Sequence, residues 1–311
     1  MSETARNGQE VALPPLAVLV VNWNGRDVLP DCLRSLAESR YPGLRLLMVD
    51  NASGDGSVAW VRAHHPQVEI VQTGANLRWA GGNNVGLRHL AATGWRGLVL
   101  LLNNDTVVPE GSLSRLAGAV ALRSEAWAAT PRICYAGDPA RAWYDGGLVG
   151  PWTGWVRHAG IRKLTGRLRN EEHFVGWGTG CALLLTPRAL EVIGELDEHF
   201  HFYGEDTDYS LRIRRAGGRI LHVPRALVLH KVSASVGGGT SPRKAWLRSR
   251  SHVRLLRKHW RPWTWPLLIP CQLAFLTGHA SWHLWQGRPI TALAVWQGVL
   301  DELTDRPYAA G

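Results

Sequence analysis

Four short apolar runs divide the first third of the chain, and each breaks off into polar residues. They are residues 16–21 (LAVLVV), 44–49 (LRLLMV), 68–71 (VEIV) and 98–102 (LVLLL). Runs this short, bounded by turn signals, read as buried strands. The segments between them carry helical patterns. After residues 22–25 (NWNG), Asp27 can cap a helix with Pro30 in its first turn and Leu29, Cys32, Leu33 and Leu36 on one face. Ser57 can cap a second helix through residue 64, and the glycine-rich turn 76–84 (NLRWAGGNN) leads into a third from about Asn84 to residue 92. Strands alternating with helices at this spacing predict an α/β fold whose mostly parallel sheet carries helices on both faces. Ligands of such sheets collect at the carboxyl ends of the strands. That rule singles out Asn22, Asp50, Asn76 and Asp105.

The second half is less regular. Residues 144–160 (YDGGLVGPWTGWVRHAG) have the punctuation of a hairpin or loop, 178–186 (GTGCALLLT) reads as a strand, and 187–193 as a helix opened by proline. A turn at Gly204 precedes a helix ending at Gly217 and Gly218, and two short strands follow at 219–222 and 226–230.

Several polar residues at these ends have two readings each. Asp50 can accept from a pyrimidine ring N–H or ribose hydroxyls, or merely close an Asx-turn. Gly81 and Gly82 permit close approach of backbone to a phosphate, or sit in an ordinary loop. Asp105 offers the carboxylate that Mg²⁺ or Mn²⁺ takes beside substrate phosphates, or caps a helix beginning near Pro109. Glu205, Asp206 and Asp208 open a helix whose dipole favours their ionised forms, which suits a general base and equally suits capping. His230 ends an apolar strand and can ligate a metal or be structural. Neither the G-x-G-x-x-G nor the G-x-x-x-x-G-K-[ST] pattern occurs, which disfavours dehydrogenases and P-loop enzymes.

These segments, taken in order, resemble the family 2 inverting glycosyltransferases, particularly their rhamnosyltransferase-like branch. The matching pieces are VVNWNG (20–25), VDNASGDGS (49–57), NLRWAGGNNVG (76–86) and LLNNDT (101–106). GTGCALLLT (178–186), LDEHFHFYGEDTDYSLRIRRAG (196–217) and VPRALVLH (223–230) complete the set. The resemblance implies a GT-A, Rossmann-like catalytic domain over 15–235, with a nucleotide-sugar half to about 125 and an acceptor half after it. It implies that Asp50 contacts the base and that Asn22, Asn51, Asn76, Gly82, Asn83 and Asn104 line the nucleotide-sugar site. Asp105 corresponds to the last carboxylate of the D-x-D metal motif, with His230 completing a Mg²⁺ or Mn²⁺ site. Asp206, beside Glu205, matches the catalytic base. The donor implied is a nucleotide-diphosphate sugar, either dTDP-rhamnose or a UDP-sugar, and the acceptor a glycan or lipid-linked glycan of the cell surface. Two positions depart from the pattern: Asn103 stands where relatives carry the first aspartate of D-x-D, and Arg78-Trp79 replace Gly-Phe. The rival readings are a non-catalytic nucleotide-sugar-binding or scaffolding subunit and a nucleotidyltransferase.

The formal charge of +10 is concentrated late in the chain. Residues 209–300 contain no Asp or Glu but fifteen Lys and Arg, a field suited to a phosphate-bearing partner. No nucleic-acid recognition motif accompanies it. Eight of those cations fall within 241–261, and residues 262–287 carry no charge but place Trp263, Trp265, Trp282 and Trp285 near their two ends. Region 241–311 is therefore expected to be a basic, Trp-rich helical appendage. Peripheral membrane contact through 243–288 is the expected role, with packing on the catalytic domain or a homodimer interface as the alternative. Four scattered cysteines and a polar lead-in over 1–14, expected to be disordered, point to the cytoplasm, at the inner face of the cell membrane.

Overall fold

The computed structural model describes residues 13–232 and 241–306; most of the lead-in expected over 1–14 lies outside the described residues. The first elements are β1 (Leu16–Asn22), α1 (Leu29–Ala37), β2 (Arg45–Asp50), α2 (Ser57–His64), β3 (Glu69–Gln72), α3 (Arg78–Ala92) and β4 (Leu98–Asn103). Next come β5 (Thr106–Val107), α4 (Ser112–Ala121), β6 (Ala126–Tyr135), β7 (Asp138–Tyr144), β8 (Gly147–Val149), β9 (Val156–His158), β10 (His173–Val175) and β11 (Ala182–Leu185). The chain then forms α5 (Pro187–Ile193), α6 (Glu205–Arg215), β12 (Arg219–His230), α7 (Pro242–His259), α8 (Trp265–Trp285) and α9 (Pro289–Leu303).

One sheet organises residues 16–230, in the order β10-β12-β6-β11-β4-β1-β2-β3, with β5 on β12 and β7 on β6. From β12 to β3 every strand runs parallel except β11. The order reverses at β1, which pairs with both β2 and β4, so a crevice opens at the carboxyl ends of these strands. Residues of β1 alternate between the two cores: Leu16, Val18 and Val20 face α1 and α4, while Ala17 and Leu19 face α3.

Four local expectations are corrected. Asp27 does not cap α1, whose N-cap is Val28; the apolar face of Leu29, Cys32, Leu33 and Leu36 is nevertheless buried. Ser57 is the first residue of α2 and the N-cap is Gly56. The strands at 219–222 and 226–230 are one strand, β12, with a register irregularity between Val223 and Leu227 that absorbs Pro224. The glycines of NLRWAGGNN lie inside α3 rather than in a turn before it. A Cβ on Gly82 would meet Val21 Cγ1 at 2.7 Å and one on Gly86 would meet Leu19 Cδ1 at 2.3 Å, so these glycines let the helix lie directly on β1. Close packing offsets the roughly 1 kcal/mol that each glycine costs a helix. Residues 126–144, to which no element is assigned from sequence, supply the central strand β6 and its hairpin partner β7.

Helices α7, α8 and α9 share a small core around Val253, Leu276 and Val295. The positive field of α7 is mostly consumed inside the fold. Arg250 and Arg254 both pair with the buried Glu302, and Arg257 with Asp305. Lys258 reaches Asp197 and Asp208. These carboxylates lie about 40 or more residues away in sequence, which is why the helix looks like a free basic surface until the chain is folded.

Candidate active site

The carboxyl edge of the sheet is built around Asn22. Its register partner is Asp50, and both side chains are fully buried. The Asn22 amide donates to Asp50 Oδ1 (3.1 Å), Ser53 Oγ (3.1 Å) and Ser57 Oγ (2.9 Å), and its oxygen accepts from Asn104 Nδ2 (3.0 Å). Asp50 Oδ2 accepts from the Ser53 N–H at 3.0 Å. Asp50 therefore fixes the ends of β1 and β2 and turns the following loop. The rim of that loop is held separately: Asp55 takes the N–H groups of Arg26 and Ser57, and Arg26 stacks over Trp60.

The start of α3 borders this edge. Asn76 is exposed and accepts from the Arg78 N–H (2.9 Å), forming the turn into the helix. Asn51 is buried and donates to the Arg78 carbonyl (2.9 Å), and a Cβ on Gly82 would press on its amide. Asn83 donates to the Trp79 carbonyl (2.8 Å), while its Oδ1 is buried with no partner. A buried acceptor left open is costly unless a ligand donates to it. The two departures from the family pattern touch each other: Trp79 Nε1 donates to Asn103 Oδ1 at 3.1 Å. The Trp79 ring also lies against Gly180, where a Cβ would approach it to 2.7 Å.

Strand β5 brings the next pair together. The rung His230↔Thr106 and the bond from Lys231 N to the Asp105 carbonyl (2.9 Å) set Asp105 beside the end of β12. Asp105 Oδ1 lies 3.2 Å from His230 Nε2, and both residues are buried. Burial works against a charge on the His230 ring, yet the Cys181 sulfur and the Asp105 carboxylate outweigh it and raise its pKa, so a cation bound at this pair would displace the ring proton. Its Nδ1 is buried without a partner. A carboxylate and an imidazole in contact fit a divalent cation. Among the described residues no group of three or more His, Cys, Asp or Glu could hold one unaided, so an ion here needs substrate oxygens as well.

Across β4 and β11 stands the N-terminus of α6. Asp206 Oδ2 accepts from the Gly180 N–H (2.8 Å), and Oδ1 from the Thr207 N–H (2.6 Å) and hydroxyl (3.2 Å). Glu205 points Oε2 into a buried position with no partner. Burial raises the pKa of both groups, and the Asp206 charge adds to the rise at Glu205. Glu205 has only its own backbone N–H to favour its charge, whereas Asp206 takes those of Gly180 and Thr207 and the Thr207 hydroxyl, so Asp206 ionises first and Glu205 holds its proton longer. Asp208, two residues on, faces away: it is fully buried and binds His259, Lys258 and Arg212.

Sequence reasoning missed His158 at the end of β9. It packs edge-on against Trp143, which in turn packs on His230, and burial lowers its pKa. The sequence held only a histidine in a hairpin-like stretch, and the fold alone brings it to the site.

Residues 17–185 match the family model described as glycosyl transferase family 2. The chain belongs to that family. This glycosyltransferase is 29% identical over 273 residues to N-acetylglucosaminyl-diphospho-decaprenol L-rhamnosyltransferase of Mycobacterium tuberculosis, a match covering 81% of this chain and 87% of the relative. Its fold is similar to that of a mannosyltransferase from Pyrobaculum calidifontis solved with GDP-Man and Mn²⁺, with a TM-score of 0.60, 17% identity and coverage of 96% and 89%. GalNAc-T7, solved with UDP, GalNAc and Mn²⁺, gives a TM-score of 0.61 at 15% identity; 80% of this chain spans about half (48%) of that one. The transferase therefore has the GT-A fold expected from its motifs, and it is a nucleotide-sugar-dependent hexosyltransferase rather than a scaffolding subunit or a nucleotidyltransferase.

Proposed function

We propose that this transferase moves rhamnose from a thymidine-diphosphate donor onto a lipid-linked glycan at the inner face of the cell membrane, with inversion at the anomeric carbon. The reading is carried by one arrangement: the Asp105–His230 pair just after β4 and the Asp206 carboxylate, bonded to Gly180 just before β11, lie at the same edge of one sheet, where β4 and β11 are neighbours. The likeness to a decaprenol-linked rhamnosyltransferase supports the sugar and the acceptor class.

Asn22, Asp50 and Asn104 hold the edge on which the nucleotide rests, and Asn51, Gly82 and Asn83 form its wall along α3. Asn83 Oδ1 offers that wall an open acceptor. Asp105 and His230 would hold Mg²⁺ or Mn²⁺, whose charge stabilises a departing diphosphate. Asp206, oriented by Gly180 and Thr207, takes the proton of the acceptor hydroxyl as that oxygen attacks the anomeric carbon from the face opposite the diphosphate. Incubation with dTDP-rhamnose, UDP-glucose, UDP-N-acetylglucosamine and GDP-mannose in the presence of Mg²⁺ or Mn²⁺ tests the donor. Slow hydrolysis of dTDP-rhamnose above the others is expected, and hydrolysis of a UDP- or GDP-sugar instead removes the rhamnose assignment.

Two further results are expected. Transfer rises with pH through an acid limb that lies above the ordinary aspartate range, because burial raises Asp206. Glu205→Gln keeps turnover within a few fold at neutral pH, since the glutamate is already held protonated; a loss comparable with that of Asp206→Asn would move the base to Glu205. Asn103→Asp should lower the metal concentration for half-maximal transfer by roughly tenfold, the scale on which ligand charge tunes such sites. An aspartate there can still accept from Trp79, so a titration with Mn²⁺ reads the charge rather than a lost contact.

A further inference from the structure

Helix α8 is apolar on its outer side as well as its inner one. The stripe it buries against the rest of the chain includes Gln272 (6% exposed) and His283 (0%), alongside Leu268, Leu276 and Ala280. Its outer surface presents Leu267, Ile269, Leu273, Phe275 and Leu284, each about half exposed. Trp263 and Trp265 stand at the start of this helix, Trp282 and Trp285 (80% exposed) at its end, and the neighbouring α9 exposes Ile290, Leu293 and Leu300. An exposed apolar face this continuous marks a surface meant for something other than water.

The charges around it select the occupant. No Lys, Arg, Asp or Glu falls between Arg261 and Arg288, which flank α8 and are both exposed, and no acidic residue occurs before Asp301. Arg261 stacks over Trp263. A second copy meeting this face would set arginines against arginines with no carboxylate to pair them, whereas anionic headgroups complement them. The helix has 21 residues and a length of about 31 Å, yet among the described residues no helix is long and apolar enough to cross a membrane. Tryptophans and arginines flanking an apolar face suit a helix lying in the bilayer interface.

The buried stripe of the same helix is joined to the site. The β8–β9 tip packs on that stripe and on the end of α7: Gln272 Nε2 donates to the Thr153 carbonyl (2.5 Å), Trp260 Nε1 donates to the Pro151 carbonyl (2.8 Å), and Gly154 lies against Leu256 and Leu268. Trp152 and Trp155 are exposed at this tip, with Arg157 stacked over Trp155. From Trp155 the chain runs through β9 to His158, which packs edge-on against Trp143, the same ring that packs on His230, a path of about 10 Å at the rise of a strand.

We propose that the outer face of α8 and α9, with the β8–β9 tip, rests on an anionic phospholipid surface and presents the catalytic edge at headgroup depth, so that a lipid-linked acceptor enters along the hairpin. The docking surface deepens the functional reading above, since the entry route rests on a lipid-linked acceptor.

The full chain is sedimented with vesicles of phosphatidylglycerol and phosphatidylethanolamine, and separately with phosphatidylcholine vesicles. The wild type should pellet with the anionic vesicles, less with phosphatidylcholine, and Leu273→Glu/Leu284→Glu should lose at least tenfold of that binding. Donor hydrolysis by the double variant should match wild type, which shows that it is folded. Trp152→Ala should slow transfer to a vesicle-embedded polyprenyl-diphosphate sugar severalfold while leaving a water-soluble short-chain acceptor unaffected; equal rates on both would overturn the entry route. A wild type that stays in the supernatant, or a variant that pellets equally well, overturns the docking surface. A dimer in light scattering that the double variant dissolves, without vesicle binding, assigns the face to a second copy and also overturns it. Vesicle binding with no hydrolysis of any nucleotide sugar keeps the docking surface and removes the functional reading instead.

Discussion

Asp206→Asn is expected to lower transfer by about 10²- to 10⁴-fold, the contribution of a positioned general base. Donor affinity should stay close to wild type. The amide keeps the shape of the carboxylate, and its oxygen can still accept from Gly180 or from Thr207, so the loop at 178–181 remains in place. What disappears is the group that receives the acceptor proton. Burial raises the Asp206 pKa while three hydrogen bonds from Gly180 and Thr207 hold its ionised form, a combination that keeps a carboxylate both charged and basic enough to act near neutrality. Single-turnover transfer together with donor titration checks the split. Near-normal turnover would remove Asp206 as the base, and lost donor binding would make its role structural.

Asp208→Ala should produce the largest loss of stability, about 3–5 kcal/mol, because it strips the partner from cations at a buried position. Its carboxylate joins the two halves of the molecule: Arg212 Nε (2.9 Å) comes from its own helix, and Lys258 Nζ and His259 Nε2 (2.7 Å each) from the end of α7. Denaturant unfolding of the variant should show a lower midpoint, and α7 to α9 should become more open to protease. The acid response has a definite sign. Burial lowers the His259 pKa below its ordinary 6.5, and its orphaned Nδ1 fits the neutral ring that donates through Nε2. The unfolded chain therefore binds that proton first, and stability present above pH 6.5 is lost as pH falls toward the folded value. Asp208 adds a second loss: burial opposes its charge, but His259 and Lys258 hold its pKa below 3.8, so its contribution disappears only as pH falls below that value. Asp208→Ala should remove the second contribution, and an acid profile unchanged below pH 3.8 would separate Asp208 from the docking of α7.

Much of the catalytic half was legible because its signals are local. Apolar runs of four to six residues with polar ends gave β1 to β4, and the alternation gave a parallel sheet with its crevice at Asn22, Asp50 and Asp105. The contact between Asp105 and His230 was not legible from spacing, since it depends on the two-residue strand β5, too short to carry a periodicity. Strands β6 and β7 escaped for a different reason: residues 126–144 mix alanines, arginines and a proline, and β6 is a strand only because β11 and β12 flank it. The Gly-Gly pair was visible but misplaced, because the need for glycine at position 82 comes from Val21 and Asn51 across the helix–sheet contact.

The sequence by itself determined the family, the sheet edge and the chemical types of the groups placed there, since each is written in contiguous motifs. Only the tertiary structure decided what those groups face. Asp50 turns inward to Asn22, Asn103 receives Trp79, and His158 enters the site from a distant hairpin. Arg250, Arg254 and Lys258 of α7 turn inward to carboxylates, while the uncharged α8 keeps an exposed apolar surface. The physical reason is the same in each case: a buried charge or amide takes the partner that folding brings within about 3 Å, whatever its distance along the chain.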